Sequence, residues 1–256
     1  MIRQPTVFVS HGSPMWALQP GRTAPALAEW AAAHHPQAIL VVSPHWMTRG
    51  GAVAMTTAEP ATWHDFGGFA AELYALQYPA RGAPALGERA ARLLAQAGMA
   101  VATDDQRPFD HGAWVPLRYM WPQADVPVAQ LSLPSGFSPQ ALMAMGAALS
   151  PLRDEGVLIM CTGSMTHNLI ERDRSADLSY VSAFASWVRE QVVGEARAAM
   201  LDWSRQAPHA QRAHPSDEHF VPLFIAWGAA RAGEQAQWLS DEIQFGFLAM
   251  DAVAWG

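Results

Sequence analysis

The sequence predicts an α/β fold in which a mostly parallel central sheet carries helices on both faces. Short apolar runs alternate with segments of helical period along the whole chain, which is the order that builds strand–helix–strand units. The run at 38–43, AILVVS, is apolar on both faces, as strands of a helix-covered parallel sheet are. No repeat or linker-like change of composition interrupts the pattern, so we expect one catalytic domain over residues 1–256.

Each apolar run is assigned to a strand and each periodic segment to a helix. The expected strands are residues 6–10, 38–43, 51–57, 99–104, 126–133, 156–164 and 243–251. The expected helices are residues 23–35, 68–76, 85–98, 137–149, 178–206 and 217–232. Thr23 is suited to cap the first helix, Pro36 to follow its end, and Gly98 to end the third.

Composition argues against several classes of function. A formal net charge of −7 without a Lys/Arg cluster argues against a nucleic-acid partner. No apolar stretch reaches the roughly 20 residues of a membrane span, and no secretory leader is recognisable, so we expect neither membrane insertion nor export. Cys161 is the single cysteine and has no partner for a disulfide, which fits a cytoplasmic protein.

Three histidines follow three different expected strands. His11 comes after VFVS, His45 after VVSP, and His167 after VLIMCTGSMT. Open parallel sheets bind ligands where their strands end, so we expect an active site at this carboxyl edge. His219 is expected to open the last helix, with Ser216 as its N-cap. Neighbouring strands are about 4.8 Å apart, so side chains from their ends can share a metal ion.

Each of these histidines also has a structural interpretation. A single histidine at a strand end is more often a hydrogen-bonded structural residue than a ligand, and only the recurrence at matching positions favours a site. His64 and His214 lie in loops, where they could line a pocket or support a turn. Asp110 could orient the ring of His111, or the two residues could form a cap at the start of a helix. The residues alone leave these alternatives open.

The sequence favours metal chemistry over other catalytic classes. Ser13 precedes a proline, and no serine lies in a G-x-S-x-G turn. Cys161 lies inside an apolar run, which is typical of an inert thiol. Neither glycine-rich nucleotide-binding motif occurs in the sequence. Three protein ligands with open positions suit catalytic zinc or non-haem Fe(II), and the spacing does not choose between them.

Six motifs in series resemble the class III extradiol ring-cleavage dioxygenases, and within them the DOPA 4,5-dioxygenase type. Each motif alone is a weak indicator, whereas six in order over nearly the whole chain are specific. They are HGSPM (11–15), SPHW (43–46), HDFGGF (64–69), DHGAWVPL (110–117), GSMTHNL (163–169) and HPSDEHFVPL (214–223).

The resemblance implies a metal site on named residues. It implies that His11 and His45 are metal ligands and that His219 is the third. Better-known relatives have a glutamate as third ligand, so Glu218 is the alternative. His167 matches the acid–base histidine, and the resemblance leaves open whether it is also a fourth ligand.

The resemblance also implies a substrate site beside the metal. His111 matches a second catalytic histidine of the pocket. The residues expected to contact the substrate are Trp46, His64, Phe66 and His214.

The activity implied is Fe(II)-dependent opening of a catechol by O2 next to the diol, which gives a semialdehyde. The substrate would be DOPA-like or another substituted phenolic compound. Zinc could occupy the site in purified protein, because it lies above iron in the general affinity order. Two alternatives remain, a non-enzymatic metal- or ligand-binding protein on the same scaffold and a zinc-dependent hydrolase. Neither the particular catechol nor the oligomeric state follows from the sequence.

Overall fold

The computed structural model describes residues 2–171 and 178–256. The strands are β1 Thr6–Ser10, β2 Ala38–Thr48, β3 Ala52–Met55, β4 Val101–Asp104, β5 Val128–Pro134, β6 Val157–Gly163, β7 Ala236–Ser240, β8 Ile243–Gln244, β9 Leu248–Ala249 and β10 Ala252–Trp255. The α-helices are α1 Thr23–Ala32, α2 Ala71–Tyr74, α3 Pro84–Gln96, α4 His111–Met120, α5 Pro139–Leu149, α6 Pro151–Asp154, α7 Ser179–Val193, α8 Arg197–Leu201, α9 Trp203–Gln206, α10 Ala210–Ala213 and α11 Pro222–Ala229.

Eight of the strands form one sheet in the order β4-β3-β5-β2-β6-β1-β10-β7. The central run β5-β2-β6-β1 is parallel throughout, and so is the edge pair β3-β4. Antiparallel pairing joins β3 to β5, β1 to β10 and β10 to β7. The expected mostly parallel sheet is therefore confirmed, with antiparallel pairs toward its two sides.

The sheet separates two hydrophobic cores, one on each face. Side chains alternate along a strand, so Phe8 and Val42 pack on one face with α3, α5, α7 and α11. Val7 and Val41 pack on the other face with α1 and α4. Every residue of β1, β5 and β6 is buried, as expected for strands covered on both faces. The prediction of helices on both faces is confirmed.

The topology brings three strand ends together. Strands β2 and β1 flank β6 on either side and run parallel to it. Their carboxyl ends therefore meet at one edge of the sheet, although the strands are far apart in the sequence.

The carboxyl-terminal strands differ from the prediction. Residues 243–251 form no continuous strand, because Phe245 and Gly246 have positive φ angles of 53° and 77° and turn the chain between β8 and β9. The last strand of the large sheet is instead β10, which pairs antiparallel with β1, and β7 lies beside it. Both fall outside the strand–helix alternation on which the prediction rested.

Two expected helices are shorter or broken. The segment 178–206 forms three helices, α7 to α9, because the chain turns at Gly194 and at Glu195, which has a φ of +52°. The helix expected at 217–232 begins only at Pro222, which suits a first helical turn because it has no N–H. Ser216 is therefore not an N-cap, and its hydroxyl donates to the carboxylate of Glu218.

The first helix also differs at both ends. It begins at Thr23 rather than after it, and the Thr23 hydroxyl donates to Glu242 at 2.9 Å. It ends at Ala32, short of the proline that was expected to follow its end. Across residues 2–171 and 178–256, helices that combine the length and apolarity of a membrane span are absent.

Candidate active site

Two strands present histidines at their carboxyl ends. His11 directly follows β1, is 1% exposed, and donates its backbone N–H to the carbonyl of Gly163 at 2.8 Å. His45 lies in β2, where pairing with β5 shifts register between Ser43 and Met47. Such an irregularity re-aims a side chain, and it turns the ring of His45 toward that of His11. The two Nε2 atoms are 3.1 Å apart.

A buried polar network holds the irregular part of β2 in place. The Ser43 hydroxyl accepts from the backbone N–H of His45 and donates to Asp110 at 2.7 Å. Arg107 donates to the His45 carbonyl at 3.2 Å and to Asp110 at 3.0 Å. Its guanidinium lies over the ring of Trp46, 4.7 Å from the centroid. These contacts fix the backbone from which His45 projects.

His219 reaches the site from the irregular segment before α11. Its carbonyl accepts the backbone N–H of Ser164 at 2.8 Å, just beyond the end of β6. Its Nδ1 donates to Glu218 at 2.8 Å, which leaves Nε2 available. The His167 ring stacks on the His219 ring with centroids 3.6 Å apart and an angle of 9° between their planes.

Close contact between β6 and the His219 segment requires glycine at position 163. A Cβ built on Gly163 would lie 2.0 Å from the His219 carbonyl oxygen. We expect Gly163→Ala to lower the free energy of unfolding by about 1–3 kcal/mol, the usual range for overpacking, and to weaken metal binding by displacing His219. Chemical denaturation and zinc titration would measure both effects. Gly67→Ala is the control, because a Cβ there has nothing within 4 Å, and an equal loss in the control would contradict the explanation.

His111 begins α4, and its ring is oriented by Asp65 rather than by Asp110. Its Nδ1 donates to Asp65 Oδ1 at 2.9 Å, and its backbone N–H donates to the same oxygen at 2.9 Å. Asp110 instead accepts from the backbone N–H of Ala113 as the N-cap of α4. The structural interpretation was therefore right for Asp110, whereas the His111 side chain reaches the histidine cluster. Its ring centroid lies 3.9 Å from that of His45.

The rings of His11, His45 and His219 form a nearly equilateral triangle. Their centroids are 5.0 Å apart for His11 and His45, 5.4 Å for His11 and His219, and 5.1 Å for His45 and His219. Imidazoles that bind one ion through nitrogen at about 2.0–2.1 Å, at roughly 90–110°, have centroids about 4.5–5.2 Å apart. Two of the three centroid distances fall in this range and the His11–His219 distance lies slightly above it, so the triangle has about the size that three rings on one ion would have.

Two groups of side chains, with no member in common, could hold an ion. One nitrogen from each of His11, His45 and His111 lies within 4.8 Å of the others, and His167, Glu218 and His219 form a second such group. The two groups are neighbours, because the His219 ring is close to those of both His11 and His45. The site is therefore one cluster of five histidines with two carboxylates behind it.

A cavity of about 650 Å³ opens above this cluster. His45, His111, His167 and His219 line its floor, and the walls are mainly apolar. The wall residues include Met15, Phe66, Phe69, Leu169, Phe245, Phe247 and Leu248. Among the described residues, no Asp, Glu, Lys or Arg side chain lines this cavity. Buried metal-binding groups below an apolar cavity can hold a small molecule that carries its polar atoms at one end.

Comparison with known proteins places this chain in a family. A family model described as the catalytic LigB subunit of aromatic ring-opening dioxygenase matches residues 5–249. The chain belongs to the LigB family. It is therefore an aromatic ring-opening dioxygenase, and the recognition made from the six motifs is confirmed. LigB extradiol dioxygenases depend on a metal, and the histidine cluster could hold one.

Two relatives of this LigB-family chain, and one similar protein of known structure, match it over almost its full length. A protein from Beta vulgaris named 4,5-DOPA dioxygenase extradiol is 38% identical over 250 residues, covering 95% of this chain and 93% of the relative. A protein of the same name from Escherichia coli K12 is 36% identical and covers 99% and 95%. A crystal structure of an uncharacterized Escherichia coli K12 protein superposes with a TM-score of 0.81 at 28% identity, covering 99% of this chain and 100% of that chain.

Of the four residues expected to contact substrate in this LigB-family chain, Phe66 alone lines the cavity. Trp46 is 8% exposed and lies under Arg107. The His64 ring N–H donates to the Leu76 carbonyl at 3.0 Å, so this side chain supports its loop.

His214 is also placed differently from the expectation. It is 4% exposed, donates to the Met165 carbonyl at 2.9 Å, and packs among the rings of Phe184, Trp203 and Phe220. A substrate in the cavity would not touch it, because these rings enclose it in the protein core.

Sequence reasoning missed several residues of the LigB-family site. Asp65 stood inside the motif HDFGGF without a role, and it is the carboxylate that holds His111. The hairpin residues Phe245 and Phe247 line the cavity, but the run that contains them was read as a sheet strand. The turn could have been suspected from Gly246, because a loop of three to five residues that contains glycine often joins two strands of a hairpin.

Burial keeps His11, His45, His167 and His219 uncharged at neutral pH by lowering their pKa values. It lowers the pKa of His45 to about 4, with a further contribution from the neighbouring His111, and that of His219 to about 3. The pKa values of His11 and His167 are lowered by the same cause. Histidines must be deprotonated to bind a metal ion, so an ion can bind to these neutral rings at pH 7 without first displacing protons.

These shifts predict an acid-sensitive metal-free protein. The pKa values of His45, His214 and His219 are about 4, 4 and 3 in the folded chain, against 6.5 for an ordinary histidine. Above pH 6.5 neither state binds these protons, so they do not affect stability. As the pH falls below 6.5 the unfolded chain takes up protons that the folded chain excludes, so the free energy of unfolding decreases by up to about 1.4 kcal/mol per pH unit for each histidine.

Urea denaturation of the metal-free protein between pH 7.5 and 4.5 would measure this dependence. His35→Gln is the matched control, because His35 is exposed and should leave the slope unchanged. A free energy of unfolding that stays constant from pH 6.5 to 5 would contradict the prediction.

Proposed function

We propose that this chain is an extradiol dioxygenase that uses non-haem Fe(II) and O2 to open a catechol ring to a semialdehyde. The observation that carries the proposal is the triangle of His11, His45 and His219, of which His45 and His219 line the floor of an apolar cavity. The names of the relatives, which are extradiol dioxygenases of DOPA, support the same position of ring cleavage.

We propose His11, His45 and His219 as the metal ligands. His111 is less suited to this role, because its centroid lies 3.9 Å from that of His45, closer than two rings on one ion at ordinary angles. Glu218 is hydrogen-bonded to Nδ1 of His219 and so supports this ligand rather than replacing it.

Fe(II), when bound, supplies the one-electron chemistry that lets triplet O2 react with a singlet catechol. Three protein ligands leave other coordination positions open. Zinc has no redox chemistry, so zinc-filled protein would be folded but inactive in ring opening.

His167 and His111 are proposed to handle protons during the reaction. His167 lines the cavity, and burial lowers its pKa, so its neutral ring can accept the proton of a catechol hydroxyl. Its ring stacks on His219 at 3.6 Å, which is too close for both to bind one ion at an ordinary angle, so we do not assign it as a fourth ligand. His111 presents its remaining ring nitrogen, Nε2, for hydrogen bonding to a substrate oxygen.

The cavity walls suit an aromatic ring. Phe66 and Phe69 meet edge to face at 5.4 Å, and both line the cavity together with Met15 and Phe247. We propose that the diol lies at the histidines and that the ring contacts these apolar side chains. Residues 1–256 are proposed to act as one catalytic domain, because the ligands come from the residue after β1, from β2 and from the segment before α11.

Oxygen uptake after anaerobic Fe(II) loading tests the proposed function. The purified protein would be incubated with a panel of catechols that includes DOPA and 4-methylcatechol. We expect O2 consumption together with a yellow ring-opened product from at least one of them. Catechol binding without O2 consumption would favour a non-enzymatic binding protein, and ester or amide hydrolysis by the zinc form would favour a hydrolase.

The zinc form provides the matched control for the metal. Protein shown by metal analysis to contain zinc and no iron should bind the same catechols with less than about one hundredth of the Fe(II) rate of O2 uptake, because zinc does not transfer electrons. Equal oxygen uptake by the zinc form would overturn the assignment of Fe(II).

A further inference from the structure

We propose that Asp65 is a positioning residue that fixes the proton of His111, and of His45, on Nδ1, so that both Nε2 atoms remain free for the reaction site. This inference rests on the proposed function, because it concerns one proposed metal ligand and one proposed acid–base residue. It assigns a single carboxylate to two histidines that have different tasks.

The two carboxylate oxygens of Asp65 face the Nδ1 atoms of two different histidines. Oδ1 accepts from both Nδ1 and the backbone N–H of His111, each at 2.9 Å. Oδ2 lies 3.6 Å from Nδ1 of His45, which is longer than a hydrogen bond but close enough for its charge to favour a proton on that nitrogen. The Asp65 side chain is only 8% exposed, so solvent screens this charge weakly.

An ionised carboxylate offers only acceptor positions, whereas an imidazole can place its proton on either nitrogen. Asp65 therefore favours the Nδ1–H form of each ring that faces it. The other nitrogen of His45, Nε2, lies 3.1 Å from Nε2 of His11, where an ion between the rings would need a lone pair. The same tautomer leaves Nε2 of His111 without a proton and able to accept one.

Among the described carboxylates, Asp65 alone is hydrogen-bonded to the His111 ring, whereas the charge of Asp110 acts together with that of Asp65 on His45. Asp110 already accepts from Ser43, Arg107 and the start of α4. Glu218 supports His219 in the same manner, with its Oε1 at 2.8 Å from Nδ1. Histidines that bind metals commonly donate their second nitrogen to a carboxylate, and removing that partner typically costs roughly 10–100-fold in metal affinity.

The loop that carries Asp65 also contributes a residue of the cavity wall. Phe66, the next residue, lines the cavity and contacts the His111 ring edge to face at 5.5 Å. Backbone hydrogen bonds between Trp63 and Phe109 and between Phe109 and Ala61 hold the loop against the start of α4. The loop therefore places Asp65 and Phe66 together with the ring that they contact.

Histidine tautomers in the zinc-loaded protein provide the test, because zinc is diamagnetic and the readout needs no turnover. Long-range ¹H–¹⁵N spectra of protein labelled at histidine should show His111 and His45 as Nδ1–H forms. In Asp65→Ala we expect His111 to lose this form and the affinity for zinc to fall roughly 10–100-fold. Asp65→Asn retains the shape of the side chain, and we expect a similar loss of zinc affinity because its amide cannot accept from both rings.

Two control variants separate the effect from general damage. Asp104→Asn removes the same charge on β4 and should change neither the spectra nor the affinity for zinc. Glu218→Gln should alter the signals of His219 and leave the tautomer of His111 unchanged. An unchanged His111 tautomer in Asp65→Ala, or unchanged zinc affinity in Asp65→Asn, would overturn the role of Asp65. If the native tautomers are as expected but no catechol consumes O2, the proposed function fails while the role of Asp65 stands.

Discussion

His219→Ala is expected to lose tight metal binding and at least about 10³-fold of ring-opening activity, because metal ions supply several kcal/mol to the transition state. The variant removes one corner of the triangle and leaves His11 and His45 with two nitrogens for the ion. Metal analysis after gel filtration and O2 uptake with saturating catechol would measure the two losses.

The same measurement on His111→Ala decides whether His219 or His111 completes the set of ligands with His11 and His45. If His219 is the third ligand, His111→Ala keeps its metal and loses only rate. His35→Ala is the control, because this exposed histidine lies outside the cluster. Metal retained by His219→Ala and lost by His111→Ala would mean that the ligands are His11, His45 and His111.

His167→Gln is expected to keep its metal and to lower kcat by roughly 10²–10⁴-fold, the usual contribution of general acid–base catalysis. The amide approximates the size of the imidazole but cannot take up a proton, so substrate should still bind. Fe(II) content, KM for a catechol and single-turnover rates would separate binding from chemistry.

Asn168→Ala is a neighbouring control for His167→Gln. Its amide donates to the Arg212 carbonyl at 2.6 Å and lies outside the cavity lining, so this change tests disturbance of the loop alone. A kcat within about twofold of the native enzyme in His167→Gln would contradict a proton-transfer role. Loss of metal in that variant would mean that His167 is itself a metal ligand.

The sequence predicted the parts of this site that follow directly from strand ends. His11 and His45 belong to apolar runs, and the parallel arrangement of such runs places their ends on one edge. The motif resemblance was needed for His219, because its segment is irregular and no periodicity indicates where it goes. Its position depends on contact with Gly163 and Ser164.

Contacts between distant segments were the part that sequence reasoning could not supply. Asp110 is adjacent to His111 and was the natural candidate to orient it, yet Asp65 does so from 46 positions away. His214 and Trp46 lie within recognisable motifs, but their side chains point into packed surroundings. Sequence position specifies the backbone near a site, whereas the direction of a side chain depends on what packs against it.

The separation of the proposed ligands along the chain has a thermodynamic consequence. An ion held by residues 11, 45 and 219 bridges most of the polypeptide, and an unfolded chain cannot keep three such distant imidazoles together without a large loss of entropy. Occupancy and folding are then linked by mass action: an ion at one hundred times its dissociation constant would add about 2.7 kcal/mol to the free energy of unfolding. Chelators would accordingly lower the melting temperature as well as stop turnover.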